Sequence, residues 1–525
     1  MREDRRPRGK DCPIVIGAER LPSRQKACCS ARRWLSSGTG ERRLEVFPAL
    51  RRAARYARRM LSDANTHSSA PRAGTFLGEP KALGYLAFTE AWERFSFYGM
   101  SALLVLYLTQ ELLLPGHVEH VQGFAAFRAG LERLFGPLST LALASQIYGL
   151  YSGFIYFTPV LGGWLADRWL GTRNAVVIGA LLMSAGHVAM VFDQSLLLAL
   201  LLLIVGCGLL KGNISNQVGT LYREDDATGR TRGFTIFSFG INAGAVLGPL
   251  ICGWLAEVYG WHAGFGAAGV LMLVGLATYL AGYSSFTRSV RTVRSETAAP
   301  PPLDSSQWKV TFALLVAIAL TVFQTVAYYQ NSDAALVWID RDVNLSVFGF
   351  HVPVAWFNSI DPLVSMAAVP FLLAYWQSQA SRGREPSEVG KIGIGAWMAS
   401  AANLLLVLGC VLWHRVPLWV PFLYDTVLGL AFLYYWPPLL ALVSREAPPR
   451  LRATLMGGVF LSLFFANLAI GWLGTLYERM TPAQFWALHA GISAAGGLLV
   501  VVLQRPLARV FGDRERPQTP PSTVL

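Results

Sequence analysis

Long apolar runs alternate with short polar segments along this chain, and those runs set the first expectation. They lie near 82–112, 143–166, 174–193, 196–219, 233–257, 262–284, 308–332, 352–377, 391–413, 417–443, 452–474 and 482–504. Each is about the length that a helix rising about 1.5 Å per residue needs to cross ~30 Å of hydrocarbon. The apolar residues are continuous rather than alternating, which excludes a membrane β-barrel. The pattern predicts an all-α polytopic membrane protein with 12 transmembrane helices.

The polar segments divide those helices six and six. The linker 285–307 holds the run Ala298-Ala299-Pro300-Pro301-Pro302 and reads as irregular chain between two bundles, 82–284 and 308–505. A basic extension (1–81) precedes them and a tail (506–525) follows. The loop Gly162–Arg173 in the first half has a basic counterpart, Arg382-Gly383-Arg384-Glu385-Pro386, in the second. Paired halves with matched loops are what a two-bundle rocking transporter shows. The longest segment on the opposite side, 113–141, has room for a short surface helix.

Composition agrees: 53% of residues are hydrophobic, 15% are charged, and the mean hydropathy is +0.40, more apolar matter than a soluble core hides. The 16 Trp, 18 Tyr and 29 Phe suit belts at the membrane interface. A net charge of +13 first suggests nucleic acid, but residues 1–81 hold 19 Lys/Arg against 8 Asp/Glu. Only +2 remains for the other 444 residues, so no nucleic-acid partner is expected. The remaining Lys and Arg orient the bundle. With the N terminus inside, 19 fall in inner loops or the tail and 5 in outer loops, placing both termini in the cytoplasm.

Residues 1–59 are rich in Arg and Ser and lack the apolar core of a secretory signal. They read as a transit peptide or as an over-extended start with Met60 the initiator; the second reading suits a bacterial inner-membrane protein. Cys12, Cys28, Cys29, Cys207, Cys252 and Cys410 show no metal or redox spacing, and the last three read as small packing residues.

Ionisable residues inside apolar runs mark function, because each costs roughly 3 kcal/mol to insert. The first run holds Glu90, Glu93 and Arg94 at i, i+3 and i+4, on one helix face, with Phe97 and Tyr98 a turn further. Two carboxylates beside one guanidinium leave a spare acid that can take up and release a proton. The alternative is an ion pair that only fixes helix packing. In the fourth run, Lys211 follows Gly206 and Gly208; no strand precedes them and no Gly-Lys-Ser/Thr follows, so this is not a phosphate loop. Gly206 and Gly208 read as close-packing positions, and Lys211 as a partner for an acid or an anionic solute, or as a snorkelling side chain. Asp167, Arg168 and Arg173, at a Gly-bounded turn, read as a clamp on neighbouring helix ends that gates one state against another. His117, His120, His187, His262, His351, His414 and His489 show neither metal spacing nor a paired nucleophile, so no catalytic or metal-binding residues are expected.

On these residues, over roughly 75–510, the chain resembles the proton-dependent oligopeptide transporter family of the major facilitator superfamily. Glu90–Gly99 matches the family's E-x-x-E-R-F-x-Y-Y-G, with Phe97 at its first Tyr, and Gly162–Arg173 matches the superfamily's loop motif. Lys211-Gly212-Asn213 resembles its K-P-N; Phe234–Gly244 resembles F-x-x-F-Y-x-x-I-N-x-G, with Ser238 at the Tyr. Gly383–Ser387 and Pro437, Pro448 and Met456-Gly457 resemble further segments.

The resemblance implies the major facilitator fold and a monomeric proton symporter of di- and tripeptides, driven by the proton gradient without a cofactor. It implies that Glu90, Glu93, Arg94 and Lys211 couple protons and hold the peptide carboxylate, and that Tyr98, Tyr156, Asn242 and Gln330 join the substrate site. Three departures are informative. The family's acid in the seventh span falls on Tyr329, and its acid in the tenth, which holds the peptide's amino terminus, falls on Phe432. Its Asn-Pro in the eighth reads Asp361-Pro362, so Asp361, placed near mid-span, is a candidate for the displaced amine- or proton-binding carboxylate. The alternative for Asp361 is a structural carboxylate at the Pro362 kink. Asp333 and Asp425 are expected nearer the outer surface and solvated. Other readings of the chain are a carrier for an amino acid derivative or organic anion, favoured by Tyr329 and Phe432, and a receptor or scaffold that does not transport.

Overall fold

The computed structural model describes residues 75–223, 226–286 and 303–512. The extension up to 74 with Met60, the Pro run of the linker and the chain after 512 lie outside the described residues. A short hairpin, β1 (Thr75–Phe76) with β2 (Glu79–Pro80), leads into α1 (Lys81–Tyr107). There follow α2 (Phe124–Phe135), α3 (Thr140–Leu165), α4 (Thr172–Ala189), α5 (Leu196–Thr220), α6 (Ala227–Tyr259) and α7 (Trp261–Gly282). The second half comprises α8 (Ser305–Tyr328), the short α9 (Ala334–Asp342), α10 (Ile360–Ser381), α11 (Glu388–Leu412), α12 (Trp419–Glu446), α13 (Arg452–Gly474) and α14 (Pro482–Gly512).

Among the described residues nine helices are long and apolar enough to cross a membrane by length and composition. α1, α3 and α4 complete the twelve at the positions of the apolar runs. α1 is diluted by three buried charges, and α4 has only 18 residues. The remaining two helices are accessory: α2 is the surface helix expected in 113–141, and α9 follows a 3₁₀ turn at Tyr329–Ser332. Long helices such as α5 carry a face for lipid. On α5, Leu198, Leu201 and Val205 are exposed along one side while Ala199, Leu203 and Leu210 are buried on the other. An apolar surface of that extent is stable only against hydrocarbon.

Within the first half, α1 packs on α6 and α7, and α5 packs on α3 and α4; within the second, α11 packs on α12 and α14, and α8 on α13 and α14. The α3–α5 seam shows why the glycines are there. A Cβ added at Gly162 would collide with the carbonyl oxygen of Gly208, so backbone touches backbone.

Twelve crossings place the start of α1, both ends of the linker and the end of α14 on one face, here the linker face. The opposite face carries the hairpin β3 (Ser346–Val347) with β4 (Phe350–His351). The halves are joined toward this hairpin face. There α3 lies on α13, where a Cβ at Gly149 would meet the Asn467 carbonyl oxygen at 2.7 Å and Gly471 Cα at 2.8 Å. Ser145 Oγ donates to Asp333 Oδ1 at 2.9 Å, Trp356 Nε1 to the Leu250 carbonyl at 2.9 Å, and Ser359 Oγ to the Val246 carbonyl at 2.7 Å.

Two placements differ from the sequence reading. Asp333 and Asp425 are not solvated but fully buried. Asp333 sits in the seam between the halves, and Asp425 faces inward from α12. Hydropathy gives a residue's depth along the chain but not the direction its side chain takes: α12 turns Asp425 into the bundle, and the turn between Tyr329–Ser332 and α9 brings Asp333 into the seam. Asp361 is not at mid-span either. A 3₁₀ segment, Val354–Ser359, begins this crossing, and Asp361 lies in the first turn of α10.

Candidate functional site

Between the halves lies a cavity of about 500 Å³. From the first half it is lined by Glu90, Arg94 and Tyr98 of α1, Tyr156 of α3, Lys211 and Ser215 of α5, and Asn242 of α6. From the second come Tyr328, Tyr329, Asn331 and Ser332, then Asn358, Asp361 and Ser365, and the aromatic wall Phe432, Trp436 and Phe460. Ser215, Trp436 and Phe460 lie in the linker-side ends of their helices, so the cavity extends from the joined seam toward the linker face.

The charged end is built by helical spacing. Glu90 and Arg94, four apart on α1, form an ion pair with Arg94 Nε donating to Glu90 Oε1 at 2.8 Å. Glu93 Oε2 lies 2.7 Å from the same Nε, yet has no hydrogen bond. The Nε–H is directed at Glu90, so Glu93 meets the guanidinium as an ion pair without that hydrogen bond. Glu93 is fully buried behind Arg94 rather than lining the cavity, and Cys207 Sγ approaches its other oxygen only to 4.0 Å. It is therefore the carboxylate whose charge is least well met by hydrogen bonds, and the one best placed to accept a proton.

Lys211 has no carboxylate within ion-pair distance among the described residues. Its Nζ lies over the rings of Tyr156, 4.4 Å from the centroid, and Phe97, at 5.9 Å. The sequence left open an acid, a solute anion or snorkelling as its partner. In the fold its ammonium stays in the cavity against aromatic faces, available to an anion.

Asp361 forms the opposite pole. Tyr328 donates a short hydrogen bond to its Oδ2, and Ser365 Oγ donates to Oδ1 at 3.3 Å. Tyr328 stacks on Phe432 with centroids 5.8 Å apart, and Tyr329 shares a 3.2 Å hydroxyl–hydroxyl hydrogen bond with Tyr156 across the two halves.

The comparisons with known proteins agree with this geometry. The POT family profile matches residues 173–297 and 304–487, more than half of the chain. The chain belongs to the POT family. It is 27% identical over 509 residues to a di-/tripeptide transporter of Lactococcus lactis subsp. cremoris, covering 84% of this chain and 98% of that one. It is 29% identical over 507 residues to the uncharacterized transporter YclF of Bacillus subtilis, covering 84% and 97%. A crystal structure of a peptide transporter POT in complex with sulfate superposes with a TM-score of 0.74 at 26% identity, covering 85% of this chain and 98% of that one. A point mutant of a peptide transporter POT in complex with alafosfalin gives 0.71 at 27% identity, covering 84% and 97%. The POT-family chain is thus a multi-pass membrane protein of the major facilitator fold.

Against the POT-family pattern, the departures fall together in the cavity wall. The positions of the two missing acids, Tyr329 and Phe432, flank Tyr328, whose hydroxyl holds Asp361. Tyr328 and Ser365 escaped the sequence reading, although Ser365 stands four residues after Asp361 on the same helix face, a signal that was readable.

Of the expected substrate residues, Arg94, Tyr98, Tyr156, Lys211, Asn242 and Asp361 line the cavity, and Gln330 does not. The 3₁₀ turn after α8 rotates Gln330 away, so that its Nε2 faces the Ile470 carbonyl at 3.5 Å. A helical wheel assumes about 100° per residue, and a 3₁₀ turn breaks that assumption. The expected clamp is also narrower than read. Arg173 donates to the Tyr283 carbonyl and lies 3.9 Å over its ring, joining α4 to the end of α7 within one half. Asp167 and Arg168 are exposed, and Arg168 contacts only the ring of its neighbour Trp169 among the described residues.

Proposed function

We propose that the protein is a proton-coupled symporter of di- and tripeptides or peptide-like solutes, working as a monomer by alternating access without a cofactor. The observation that carries this is a solute-sized cavity with Arg94 and Lys211 on the wall from one half and Asp361 on the wall from the other. A zwitterion matches that polarity, with its carboxylate toward the cations and its amine toward Asp361. The named activity of the Lactococcus relative supports the solute class. The bacterial relatives support a bacterial inner membrane, and the 19-to-5 bias of Lys and Arg supports the linker face in the cytoplasm. In that orientation the conformation described here faces inward.

The test is uptake into proteoliposomes driven by an inward-directed proton gradient, with a di- and tripeptide panel. Asp361→Asn keeps the shape and removes the charge. It is expected to lower uptake of peptides with a free amine at least about tenfold, mainly through KM, since hydrogen bonds to charged groups contribute about 1.5–3 kcal/mol. Peptides with a blocked amine are expected to lose little further. Full peptide uptake by the variant disproves the role of Asp361. A second reading, a carrier for an amino acid derivative or organic anion, is favoured by Phe432 at the place of an acid; failure of every dipeptide to compete decides for it.

A further inference from the structure

At the hairpin-face end of the first half, away from the cavity, four separate chain segments bring ionisable side chains together. α1 does not end as an ordinary helix. Leu108–Leu112 winds one π turn, which carries Glu111. His117 follows in the loop, Asp193 opens the 3₁₀ turn before α5, and His262 lies in the first turn of α7. The ligand atoms of Glu111, His117 and Asp193 all lie within 4.8 Å of one another. The histidines were set aside on sequence spacing, but a chain separation of this size shows nothing by spacing, and the fold closes it.

The contacts within the cluster divide into a scaffold and an open set. Asp193 Oδ1 accepts hydrogen bonds from the Tyr107 hydroxyl at 2.5 Å and His262 Nε2 at 2.9 Å. Its Oδ2 remains, 3.9 Å from His117 Nδ1, too far for a hydrogen bond. The Glu111 carboxylate has no hydrogen bond or ion pair among the described residues. Two carboxylates therefore face each other with imidazoles as their basic neighbours, and among the described residues no Lys or Arg is paired with either. This arrangement calls for a cation held by mixed nitrogen and oxygen donors. A tetrahedral zinc site with bonds of about 2.0–2.1 Å sets its ligand atoms ~3.3 Å apart. The 3.9 Å gap thus closes with a small movement of His117, an exposed loop side chain.

We propose that Glu111, His117 and Asp193 bind one divalent first-row transition ion of the zinc class, with water completing the coordination. Tyr107 and His262 act as the outer shell that fixes the Asp193 carboxylate. One imidazole with two carboxylates favours such an ion over Mg²⁺ or Ca²⁺, which take oxygen donors. The ion ties the end of α1 to the loop between α4 and α5. This inference goes beyond the transport reading and is tested without measuring transport.

The purified full chain, stripped with EDTA, is titrated with ZnCl₂ by calorimetry and with CoCl₂ by visible absorption. One saturable equivalent is expected, with Co²⁺ bands of a low-coordinate N/O site and no comparable heat from MgCl₂. His117→Ala and Glu111→Gln are each expected to weaken zinc binding at least about tenfold, and His262→Ala by a smaller factor, while His414→Ala changes nothing. Absence of saturable zinc binding, or binding undiminished in both His117→Ala and Glu111→Gln, overturns the proposal. Glu111→Gln, a near-isosteric change at a side chain without hydrogen bonds among the described residues, keeps the test decisive if the histidine variant fails to fold.

Discussion

Glu93→Gln is expected to abolish proton-driven uptake, by about two orders of magnitude or more, while sparing exchange of solute across a membrane with no gradient. The reason is a charge count around one helix face. Glu90, Glu93, Arg94 and Lys211 together carry no net charge when all are ionised. Protonating Glu93 leaves one positive charge in excess, which favours entry of a solute carboxylate and is neutralised by it. The loaded site can then turn, whereas a site carrying an unmatched charge meets a cost of roughly 3 kcal/mol per charge in the hydrocarbon. Glu93 is the acid with this freedom because the Arg94 Nε–H is already given to Glu90. Glutamine mimics the protonated state permanently, so binding and turnover survive and the link to the gradient does not. Counterflow and gradient-driven uptake, measured side by side in proteoliposomes, check this; a variant that still concentrates solute against the gradient refutes it. Glu90→Gln is a different experiment, since it also removes the charge-assisted hydrogen bond that orients Arg94.

The second large effect is steric. Gly149→Val is expected to lower uptake by about a hundredfold with the fold of each half intact. At Gly149 even a Cβ would lie 2.7 Å from the Asn467 carbonyl oxygen and 2.8 Å from Gly471 Cα, both backbone atoms of the other half. Side chains can rotate away from an intruder; backbone cannot. Overpacking costs about 1–3 kcal/mol, and at the upper end that shifts a two-state equilibrium about a hundredfold away from the conformation joined at the hairpin face. Cysteine accessibility distinguishes this from unfolding. With Ser332→Cys in a cysteine-free background, Gly149→Val should raise labelling from the hairpin face, because the cavity would open there. Equal labelling with and without the glycine substitution would show that the seam is not the gate.

Much of this was legible in the chain for a physical reason. Insertion into hydrocarbon penalises each residue separately, so the twelve crossings and the cost of burying Glu90, Glu93, Arg94 and Lys211 follow from local composition alone. The i, i+4 spacing of Glu90 and Arg94 likewise forces them into contact on any helix. Azimuth and local winding were not legible. Asp333 and Asp425 were expected in water and are buried, because nothing in hydropathy says which side of a helix meets its neighbours. Gln330 was expected in the cavity, and a 3₁₀ turn took it out and left Tyr328 and Tyr329 there instead.

The sequence by itself determined the membrane-spanning helices and the ion pair on α1, since both depend on residues within a few positions of each other. Tertiary structure alone decided which groups share a chamber. Asp361 came to lie on the wall opposite Arg94 and Lys211 with Tyr328 holding it, and Asp193 gathered two histidines and Glu111 at the far end of the bundle. Those meetings arise from helices separated by tens to hundreds of residues, whose rotation and tilt are fixed only when backbone packs on backbone at seams such as Gly149 against Gly471.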